Sequence, residues 1–525
     1  MGREDEIIRE RMKKLDEMRK KGINPYPHKF EKKNEITECL GLKLETKVKT
    51  AGRLMTKRDI GKIAFCDMQD GSGKIQIVFQ DDTSLEKKCK EENGGGTPKE
   101  VFDFFKSYVD AGDFVGVEGK IIKTKTGQIS VLVKKIEMLS KSILPLPSAW
   151  YGLQDKEERY RKRYLDMIMN PSVKEIFEKR EIIIEAIREV LKKKGFHEVE
   201  TPYLQTIYGG AEARPFETYL NALNIKLYLA ISPELYLKRL IVGGFDRVFT
   251  IARNFRNEGI DKWHNPEFSM MEIYWAYADY NDMMDLFEEI YEFACKKVNG
   301  TTKIKVQGQE IDFKRPWKKM TMAEAIKKFA DIDVMKLSDK ELKKIVEKER
   351  IESKGESWGS YVCALFEHYC EKKIVQPTFI IDHPADSTPL CKLHRNDKTC
   401  RLIERFEPFC LGAELGNAYS ELNDPVRQRK LLEEQQEKLS KGDKEANPLD
   451  EDFINAIEHG MPPTGGLGMG IDRMMILLLG QESIRDVIAF PFMRPTTENK
   501  KDGIEMKMDE TVEGKAEKKD RNLKK

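Results

Sequence analysis

The sequence predicts an α+β protein in which a small β-barrel precedes a larger domain of helices and strands. A chain of 525 residues is longer than one ordinary domain and can form two or three, each with its own core. Short β-rich segments follow one another from about Lys47, separated by turn sequences such as DGSG. A helical hydrophobic stripe begins after Pro171, and strand-like segments follow it.

Composition excludes two broad classes of function. Lys and Arg number 92 and Asp and Glu number 90, so the chain as a whole does not attract a polyanion, and any nucleic-acid surface must be local. No apolar run approaches the roughly 20 residues that cross a bilayer. The nine cysteines form no CxxC pattern, and the N-terminus has no apolar signal core. These features predict a cytoplasmic protein without a membrane segment.

The sequence of residues 1–45 predicts a helical extension that precedes the β-barrel. Within this segment Ile8, Met12 and Leu15 recur at helical spacing among charged residues, and GINPYP ends the pattern. The pattern fits a helix that contacts RNA and equally a helix that docks on its own protein. The sequence leaves both alternatives open.

The barrel is predicted over residues 46–140. Five strand-like segments in about 95 residues, each bounded by turn residues, are typical of a small closed barrel of the OB type. Residues 141–170 follow as a proline-bearing linker that turns into a helix. At the other end of the chain, residues 496–525 have too few apolar side chains to pack and are predicted to be a disordered charged tail.

The larger domain is predicted over residues 171–495. Its first helix carries a hydrophobic stripe and ends at Gly195, a residue type that commonly caps helices. The stripe consists of Ile176, Ile183, Ile187, Val190 and Leu191. The segment FHEVETPYL then predicts a strand ending at Pro202, residues 301–375 predict a helical insertion, and strands return from Pro377.

The first candidate site is the stretch FRNEGIDKWHNPEF. If the segments on either side are antiparallel strands, the loop carries Arg256 and Glu258 on one side and His264 and Phe268 on the other. Arginine can hold a phosphate, a carboxylate can accept an exocyclic amine, and an aromatic ring can stack on a base. The arrangement suits a nucleotide, although a solvated hairpin would show the same turn and paired charges.

The second candidate site is EPFCLGAELGNAYSEL. Glu407 and Glu414 flank a Leu-Gly turn, so a hairpin would bring two carboxylates together, and Mg²⁺ is the cation that would relieve their repulsion beside phosphates. Asn417, Tyr419 and Glu421 alternate and therefore share one face of a strand. An amphipathic strand with a wet face is the alternative.

The third candidate site is TGGLGMGIDR. Its glycines do not have the GxGxxG spacing of a dinucleotide fingerprint. A glycine-rich strand that leads into a helix instead lets the backbone approach a ligand, while Arg473 offers it a cation.

These three regions, in this order behind an OB-type barrel, resemble the class II aminoacyl-tRNA synthetases over about residues 45–495. The helix and strand ending at Pro202 look like motif 1, RNFRNEG with HNPEF looks like motif 2, and GLGMGIDR looks like motif 3. Within the subclass that charges lysine, aspartate and asparagine, SPELYLK at 232–238 and NAYSELNDP at 417–425 are similar to the lysine branch, of the cytoplasmic eukaryotic type.

The resemblance implies a fold, an activity and partners. The fold is an antiparallel-sheet catalytic domain with an N-terminal OB-fold that binds the anticodon. The activity is the use of ATP, with Mg²⁺, to activate L-lysine as lysyl-adenylate, followed by transfer of the lysyl group to the 3′ end of tRNA(Lys). Motif 1 implies a homodimer.

The resemblance also assigns site residues. The residues implied in ATP binding, with Arg256 and Arg473 as the catalytic pair, are Arg256, Glu258, His264, Asn265, Phe268, Glu414, Leu415, Gly470 and Arg473. Those implied in lysine binding are Gly210, Glu234, Glu272, Tyr274, Asn417, Tyr419 and Glu421. Glu407 and Glu414 are the implied metal ligands, and the implied anticodon-binding residues are Arg53, Phe65 and Gln76.

Two alternatives remain. An aspartyl- or asparaginyl-tRNA synthetase would share the fold, but a pocket for an aspartate side chain needs a buried cation, whereas Glu234 and Glu421 suit ammonium groups. A non-catalytic RNA-binding paralogue would keep the fold without the chemistry. The presence of Arg256, Glu407 and Arg473 argues against that second alternative.

Overall fold

The computed structural model describes residues 2–81, 97–147 and 153–495. The predicted tail at 496–525 lies outside the described residues. The chain divides into two compact units, Met1–Gln154 and Asp155–Lys525. Each unit is described by itself.

The first unit contains three helices and six strands within its described part. The helices are α1 (Arg3–Lys20), α2 (Ile36–Gly41) and α3 (Pro98–Tyr108). The strands are β1 (Lys47–Leu54), β2 (Arg58–Ile60), β3 (Ile63–Gln69), β4 (Lys74–Gln80), β5 (Phe114–Lys123) and β6 (Ile129–Ser140).

These strands close into the predicted barrel. The sheet order is β1-β5-β6-β4-β3-β2, and an additional β1–β3 pairing joins its ends, with Arg53 opposite Gln69. Buried and partly exposed residues alternate along β3, as expected for a strand with one face in a core. Phe79 and Phe105 stack inside, with ring centroids 4.1 Å apart. The prediction of an OB-type barrel is therefore confirmed.

The N-terminal helix α1 docks on its own unit. Leu15 and Met18 are buried, and the side chain of Arg11 donates hydrogen bonds to the carbonyl oxygens of Ala111 (2.8 Å) and Leu144 (3.0 Å). These contacts agree with the alternative that the helix docks on its own protein.

A buried lysine ties together the end of β6 and the loop before β5. The Lys141 ammonium is fully buried and pairs with Asp110 and with Asp113 (2.8 Å), and it also donates to the carbonyl oxygen of Tyr108 (2.8 Å). Removing one partner of a buried ion pair leaves an uncompensated charge, which is more costly than losing an exposed pair.

We expect Lys141→Met to lower the free energy of unfolding of the barrel by about 3–5 kcal/mol. Hydrogen exchange of barrel peptides in the full chain measures this value separately from the larger unit. The control is Lys135→Met, which removes the exposed Lys135–Glu118 pair (3.8 Å) and should cost less than about 1 kcal/mol. Equal effects of the two substitutions would contradict the prediction.

The second unit contains twelve α-helices and fourteen strands within its described part. The helices are α4 (Lys156–Arg161), α5 (Arg163–Met169), α6 (Pro171–Lys193), α7 (Glu234–Val242), α8 (Tyr280–Asn299), α9 (Met322–Ala330), α10 (Asp339–Lys348), α11 (Trp358–Tyr369), α12 (Pro425–Ser440), α13 (Glu451–Glu458), α14 (Ile471–Leu478) and α15 (Ile484–Val487). The strands are β7 (His197–Glu198), β8 (Leu204–Gln205), β9 (Glu217–Leu220), β10 (Ile225–Leu229), β11 (Arg247–Phe255), β12 (Glu267–Ala276), β13 (Lys303–Val306), β14 (Gln309–Asp312), β15 (Lys318–Thr321), β16 (Thr378–Pro384), β17 (Leu402–Cys410), β18 (Ala413–Glu414), β19 (Gly416–Ser420) and β20 (Thr464–Gly470). Three short 3₁₀ turns lie at 334–336, 371–373 and 385–387.

A nine-stranded sheet forms the centre of this unit. Its order is β15-β16-β17-β19-β20-β12-β11-β7, and β18 pairs with β17. All pairings are antiparallel except β15 with β16 and β7 with β11. The predicted antiparallel-sheet domain is confirmed, and its three central strands β12, β20 and β19 lie side by side.

Helices cover the sheet and build its core. The stripe of α6 is buried at Ile183, Ile187, Val190 and Leu191, in the same core as residues of α8 and β20. Gly195 ends α6 with φ +79°, a backbone conformation that favours glycine. After it, FHEVETPYL does not form one strand. Only the two-residue strands β7 and β8 form there.

The segment predicted as a helical insertion has a mixed structure. Residues 303–321 form strands, of which β15 joins the central sheet, and the helices run from Met322 to Tyr369. These helices pack around Trp358 and Phe366 in a second core that also includes Ile380 and Phe409 of the central sheet. Within the described ranges, no helix is long and apolar enough to cross a membrane.

Candidate active site

Two adjoining cavities lie on the central sheet. The larger cavity has a volume of about 330 Å³ and the smaller one about 200 Å³. Four residues line both cavities, so the two share a wall. These residues are Arg256, Met270, Glu414 and Gly416.

The smaller cavity gathers all nine residues that were predicted to bind ATP. They come from the β11–β12 hairpin, from the β18–β19 junction and from the start of α14. Segments far apart in the sequence therefore contribute to one cleft. This arrangement favours the nucleotide interpretation of the first candidate stretch over a solvated hairpin, although the individual roles stay predictions.

Arg256 lines this shared region and has no ion pair with any residue that the structure describes. Its guanidinium lies over the Phe268 ring, 5.1 Å from the centroid, and its Nε is buried with no hydrogen-bond partner among the described residues. Burial lowers the pKa of Arg256 below its usual value, while the carboxylates of Glu258 and Glu414 oppose that effect. An unpaired buried guanidinium is suited to an anionic group of a ligand.

Arg473 faces the same cleft from α14 and is held by neighbours. It donates to the carbonyl oxygen of Glu414 (2.7 Å), and its other terminal nitrogen lies 3.1 Å from Nε2 of His264. His264 in turn contacts Asp261 through Nδ1 (2.9 Å). The chain of contacts fixes a second cation opposite Arg256.

Asp472 and Arg180 are supporting residues that the sequence analysis missed. The buried carboxylate of Asp472 accepts a hydrogen bond from the backbone N–H of Ser269 (2.7 Å) and pairs with Arg180 (2.7 Å). These contacts join the start of α14 to β12 and α6. No local pattern marks them, because each partner lies in a different element.

The larger cavity gathers all seven residues that were predicted to bind lysine. They come from β12, β19, the start of α7 and the loop at Gly210. Glu272 accepts hydrogen bonds from Ser232 (2.8 Å) and Tyr274 (3.2 Å). Burial, with a contribution from Glu234, raises the pKa of Glu272 to about 8.

A polar chain crosses the opposite wall of the larger cavity. Arg405 donates to Oδ1 of Asn417 (3.0 Å), whose Nδ2 donates to the Tyr419 hydroxyl (2.6 Å). Arg405 also pairs with Glu407. The orientation of the Asn417 amide is therefore fixed by a donor on one side and an acceptor on the other.

Lys238 is a third residue that the sequence analysis missed. Its ammonium is fully buried, 2.6 Å from Oε1 of Glu234 and 2.5 Å from Oε2 of Glu421. Burial alone would lower the pKa of Lys238, but the two carboxylates raise it above its usual value. The spacing of Glu234 and Lys238, one turn apart on a helix, is typical of exposed ion pairs and gave no signal of burial.

The glycine-rich strand β20 provides the floor of the cavity. A Cβ at Gly466 would lie 1.8 Å from Oε1 of Glu421 and 2.8 Å from the Tyr274 ring. Any side chain at this position would therefore displace the Glu421 carboxylate. The glycine is required by close packing against the cavity wall rather than by a phosphate loop.

The two predicted metal ligands lie on one hairpin. Glu407 is on β17 and Glu414 on β18, and the strands pair antiparallel. Burial raises the pKa of Glu414, and repulsion from Glu407 adds to the effect, with Arg473 opposing it. In the part of the chain that the structure describes, no group of three or more His, Cys, Asp or Glu side chains is arranged to hold a metal by itself.

The three predicted anticodon residues lie on neighbouring strands of the barrel. Phe65 is partly exposed on β3, and Asp67 on the same face is directly opposite Gln76 of β4. Gln76 is buried and accepts a hydrogen bond from Ser130 (3.0 Å). Arg53 lies over the Phe114 ring and donates to the carbonyl oxygen of Gly112 (3.0 Å).

Each of the two units matches a known protein family. Residues 155–494 match the family described as tRNA synthetases class II (D, K and N), and residues 48–139 match the family described as OB-fold nucleic acid binding domain. The chain belongs to the class II tRNA synthetases.

Its similar relatives are lysine–tRNA ligases. The one from Methanoculleus marisnigri is 48% identical over 490 residues, which cover 92% of this chain and 94% of the relative. Those from Clostridium novyi and Thermosipho africanus are 48% and 44% identical over 93% of this chain and 95% and 96% of the relatives. These relatives are archaeal and bacterial, so the expected eukaryotic type finds no support.

Proposed function

We propose that the protein is a lysine–tRNA ligase, which activates L-lysine with ATP and transfers the lysyl group to the 3′ end of tRNA(Lys). One observation carries the proposal. The larger cavity is lined by two buried glutamates, Glu234 and Glu421, that share one buried lysine, Lys238, so these three groups carry one net negative charge when all are ionised. A ligand with a terminal ammonium group complements that charge.

The chemistry of activation needs position and charge rather than a general base. The lysine carboxylate attacks the α-phosphorus of ATP, a new O–P bond forms, the bond to the β-phosphate breaks, and pyrophosphate leaves. Arg256 lies where the two cavities meet and would neutralise the charge on the α-phosphate. Arg473 would clamp the nucleotide from the opposite side, and Phe268 would stack on the adenine.

Glu407 and Glu414 are suited to hold Mg²⁺. Burial and repulsion from Glu407 raise the pKa of Glu414. A hard cation with oxygen ligands would reduce the repulsion between the two carboxylates. The remaining ligands would be phosphate oxygens and water, consistent with a pair rather than a full protein cage. The ion would neutralise phosphate charge when bound with ATP.

Selectivity for lysine would arise at both ends of the amino acid. Glu272, which accepts a hydrogen bond from Ser232, and Glu234 would receive the α-amino group, while Glu421 with Tyr274 would receive the ε-ammonium, and Lys238 joins Glu234 to Glu421 between the two ends. Asn417 and Tyr419 would line the side-chain path. Neutral isosteres would leave the charge of the cavity uncompensated and bind poorly.

The charge of the cavity argues against the related activities. An aspartyl- or asparaginyl-tRNA synthetase needs a pocket for an acid or an amide. One buried cation, Lys238, is present here and could in principle pair with an acid. Both Glu234 and Glu421 contact that cation, so an aspartate side chain would still meet net negative charge. A non-catalytic paralogue would have no reason to keep an unpaired Arg256 beside Glu414.

Amino-acid-dependent exchange of pyrophosphate into ATP, measured for all twenty amino acids, tests the proposal. We expect exchange with lysine and little or none with the other nineteen. Exchange with aspartate or asparagine, but not with lysine, would show that the proposed substrate is wrong. Absence of exchange with every amino acid, in a protein that binds ATP, would favour the non-catalytic alternative.

The proposal includes a homodimer in the cytoplasm. The region that resembles motif 1 exposes several large apolar side chains, which suits burial against a second copy. They are Ile182, Tyr203, Leu204 and Ile207. Analytical ultracentrifugation would report a mass near twice 60.9 kDa, whereas a monomer at micromolar concentration would contradict this part.

The barrel would select the tRNA by its anticodon, and Phe65→Ala separates that step from activation. We expect aminoacylation at subsaturating tRNA to fall by about 5- to 100-fold, since one base-stacking contact contributes about 1–3 kcal/mol. Lysine-dependent pyrophosphate exchange should not change. Hydrogen exchange of the barrel checks that it stays folded, and a folded variant with normal charging would remove Phe65 from the anticodon site.

A further inference from the structure

Lys238 occupies an unusual place for a lysine. It lies on α7, in contact with Glu234 and Glu421, which line the larger cavity, and its side chain has no exposed surface. Nearby rings surround the rest of the group, with Tyr274 at 5.9 Å and Phe453 at 6.0 Å from the ammonium to the ring centroid. An ammonium in such surroundings must be compensated by carboxylates, and Glu234 and Glu421 do this.

The three groups together fix the charge of the pocket. Without Lys238, two buried carboxylates would lie close to each other and would share a proton rather than both ionise. Burial raises the pKa of Glu421 to about 8, and the Lys238 charge opposes that effect, so Lys238 favours the ionised carboxylates, with which the cluster carries one negative charge. Substrate lysine carries one positive charge at its side-chain end, so the balance is complete only when the substrate is bound.

The contacts also fix the direction of Glu421. Its Oε2 forms an ion pair with Lys238 at 2.5 Å, whereas its Oε1 has no ion pair among the described residues and lies over Gly466 on the cavity floor; neither buried oxygen has a hydrogen bond of good geometry there. Gly466 itself lines the cavity. One oxygen of the carboxylate is therefore occupied, and the other is left for a donor that enters the cavity.

We propose that Lys238 is a positioning residue for substrate lysine, which cancels one of the two buried carboxylate charges and holds Glu421 with a free oxygen toward the ε-ammonium. This inference rests on the proposed function. Lys238 does not touch the reacting atoms, so its loss should affect the affinity for lysine far more than the rate at saturation.

Several other titratable groups face the same cluster. They are Glu272 and Tyr274 on β12, Tyr419 on β19 and Cys391 on the loop after β16. Burial raises the pKa of each of these four groups. All of them remain in a Lys238 variant, which removes one charge that lowers the pKa of Cys391.

The first test is Lys238→Met in the full-length protein, with L-lysine as the ligand. We expect the KM for lysine in pyrophosphate exchange to rise about 100-fold or more at pH 7, with kcat within about fivefold and the KM for ATP unchanged. Between pH 6.5 and 8.5 this KM should fall more steeply with rising pH than in the wild type, by up to about tenfold per pH unit. The reason is that Glu421 shares a proton with Glu234 in this variant, so the oxygen that faces the ε-ammonium is protonated for part of the time until the pH rises.

Arg239→Met is the matched control on the same helix. Arg239 pairs with Asp450 (2.6 Å), away from the cavity, and its loss should leave the KM for lysine within about twofold of the wild type. If a folded Lys238→Met variant has a KM for lysine within fivefold of the wild type and the same pH profile, the inference is overturned. Failure of the wild type to use lysine would instead overturn the proposed function.

A pair of variants tests the charge balance even if Lys238→Met does not fold. Glu234→Gln alone leaves Lys238 and Glu421 as a neutral pair, whereas Glu234→Gln with Lys238→Met restores one negative charge. We therefore expect the double variant to bind lysine at least tenfold more tightly than Glu234→Gln alone, by titration calorimetry. Equal or weaker binding by the double variant would overturn the inference.

Discussion

Arg256→Ala is expected to lower the rate of lysine-dependent pyrophosphate exchange by about 10²–10³-fold, the usual loss when one preorganised charge contact to a transition state is removed. Arg256 lines both cavities and has no ion pair among the described residues. Its charge is therefore available to the phosphate that is attacked. The KM for ATP should change less than kcat, because the contact is strongest in the transition state.

Arg253→Ala is the control for this prediction. Arg253 lies three residues earlier on β11, is 41% exposed and makes only a long contact with Glu267 (3.6 Å). Its loss should leave the exchange rate within about twofold. If Arg256→Ala lowers the rate by less than tenfold, the β11–β12 loop is an ordinary hairpin, and the nucleotide must be activated elsewhere.

Glu421→Gln is expected to raise the KM for lysine by about 10²–10³-fold in the same assay. The variant keeps the shape of the side chain but leaves Glu234 and Lys238 as a neutral pair, so the ε-ammonium loses its countercharge in a buried pocket. The KM for ATP should stay unchanged, since Glu421 does not line the smaller cavity.

A comparison of lysine with norleucine as ligands serves as the control for Glu421→Gln. Norleucine has the lysine carbon chain without the ammonium, so the preference for lysine over norleucine should fall by a similar factor. A melting temperature close to that of the wild type would show that the fold is intact. Retention of wild-type affinity for lysine would remove Glu421 from the ammonium site.

Regular periodicity made much of the fold predictable. The alternation along β3 and the stripe on α6 are local patterns, and both are buried where the sequence predicts. The segment FHEVETPYL was different, because its residues pair with strands that are remote in sequence. Only two-residue stretches of it find partners, His197–Glu198 beside β11 and Leu204–Gln205 beside β10.

The candidate site was predictable only where resemblance supplied the residues. All sixteen residues predicted for ATP and lysine line one cavity or the other, but the pattern of the sequence alone left a solvated hairpin and a wet strand as alternatives. Asp472 was missed because its partners come from other elements, and Lys238 because its second partner, Glu421, does so. Burial of a Glu–Lys pair on a helix depends on what packs over it, and sequence spacing carries no information about that.

The shared wall of the two cavities affects how long the reaction intermediate stays bound. Lysyl-adenylate would fill both cavities at once, so every contact of the amino acid and of the nucleotide acts on a single molecule. For such a linked ligand, release of one half leaves the other half holding it nearby, and rebinding competes with escape. Its residence time should therefore exceed that of free lysine or AMP by orders of magnitude. Four residues that line both cavities would in this way help to protect a reactive mixed anhydride from water until the acceptor tRNA arrives.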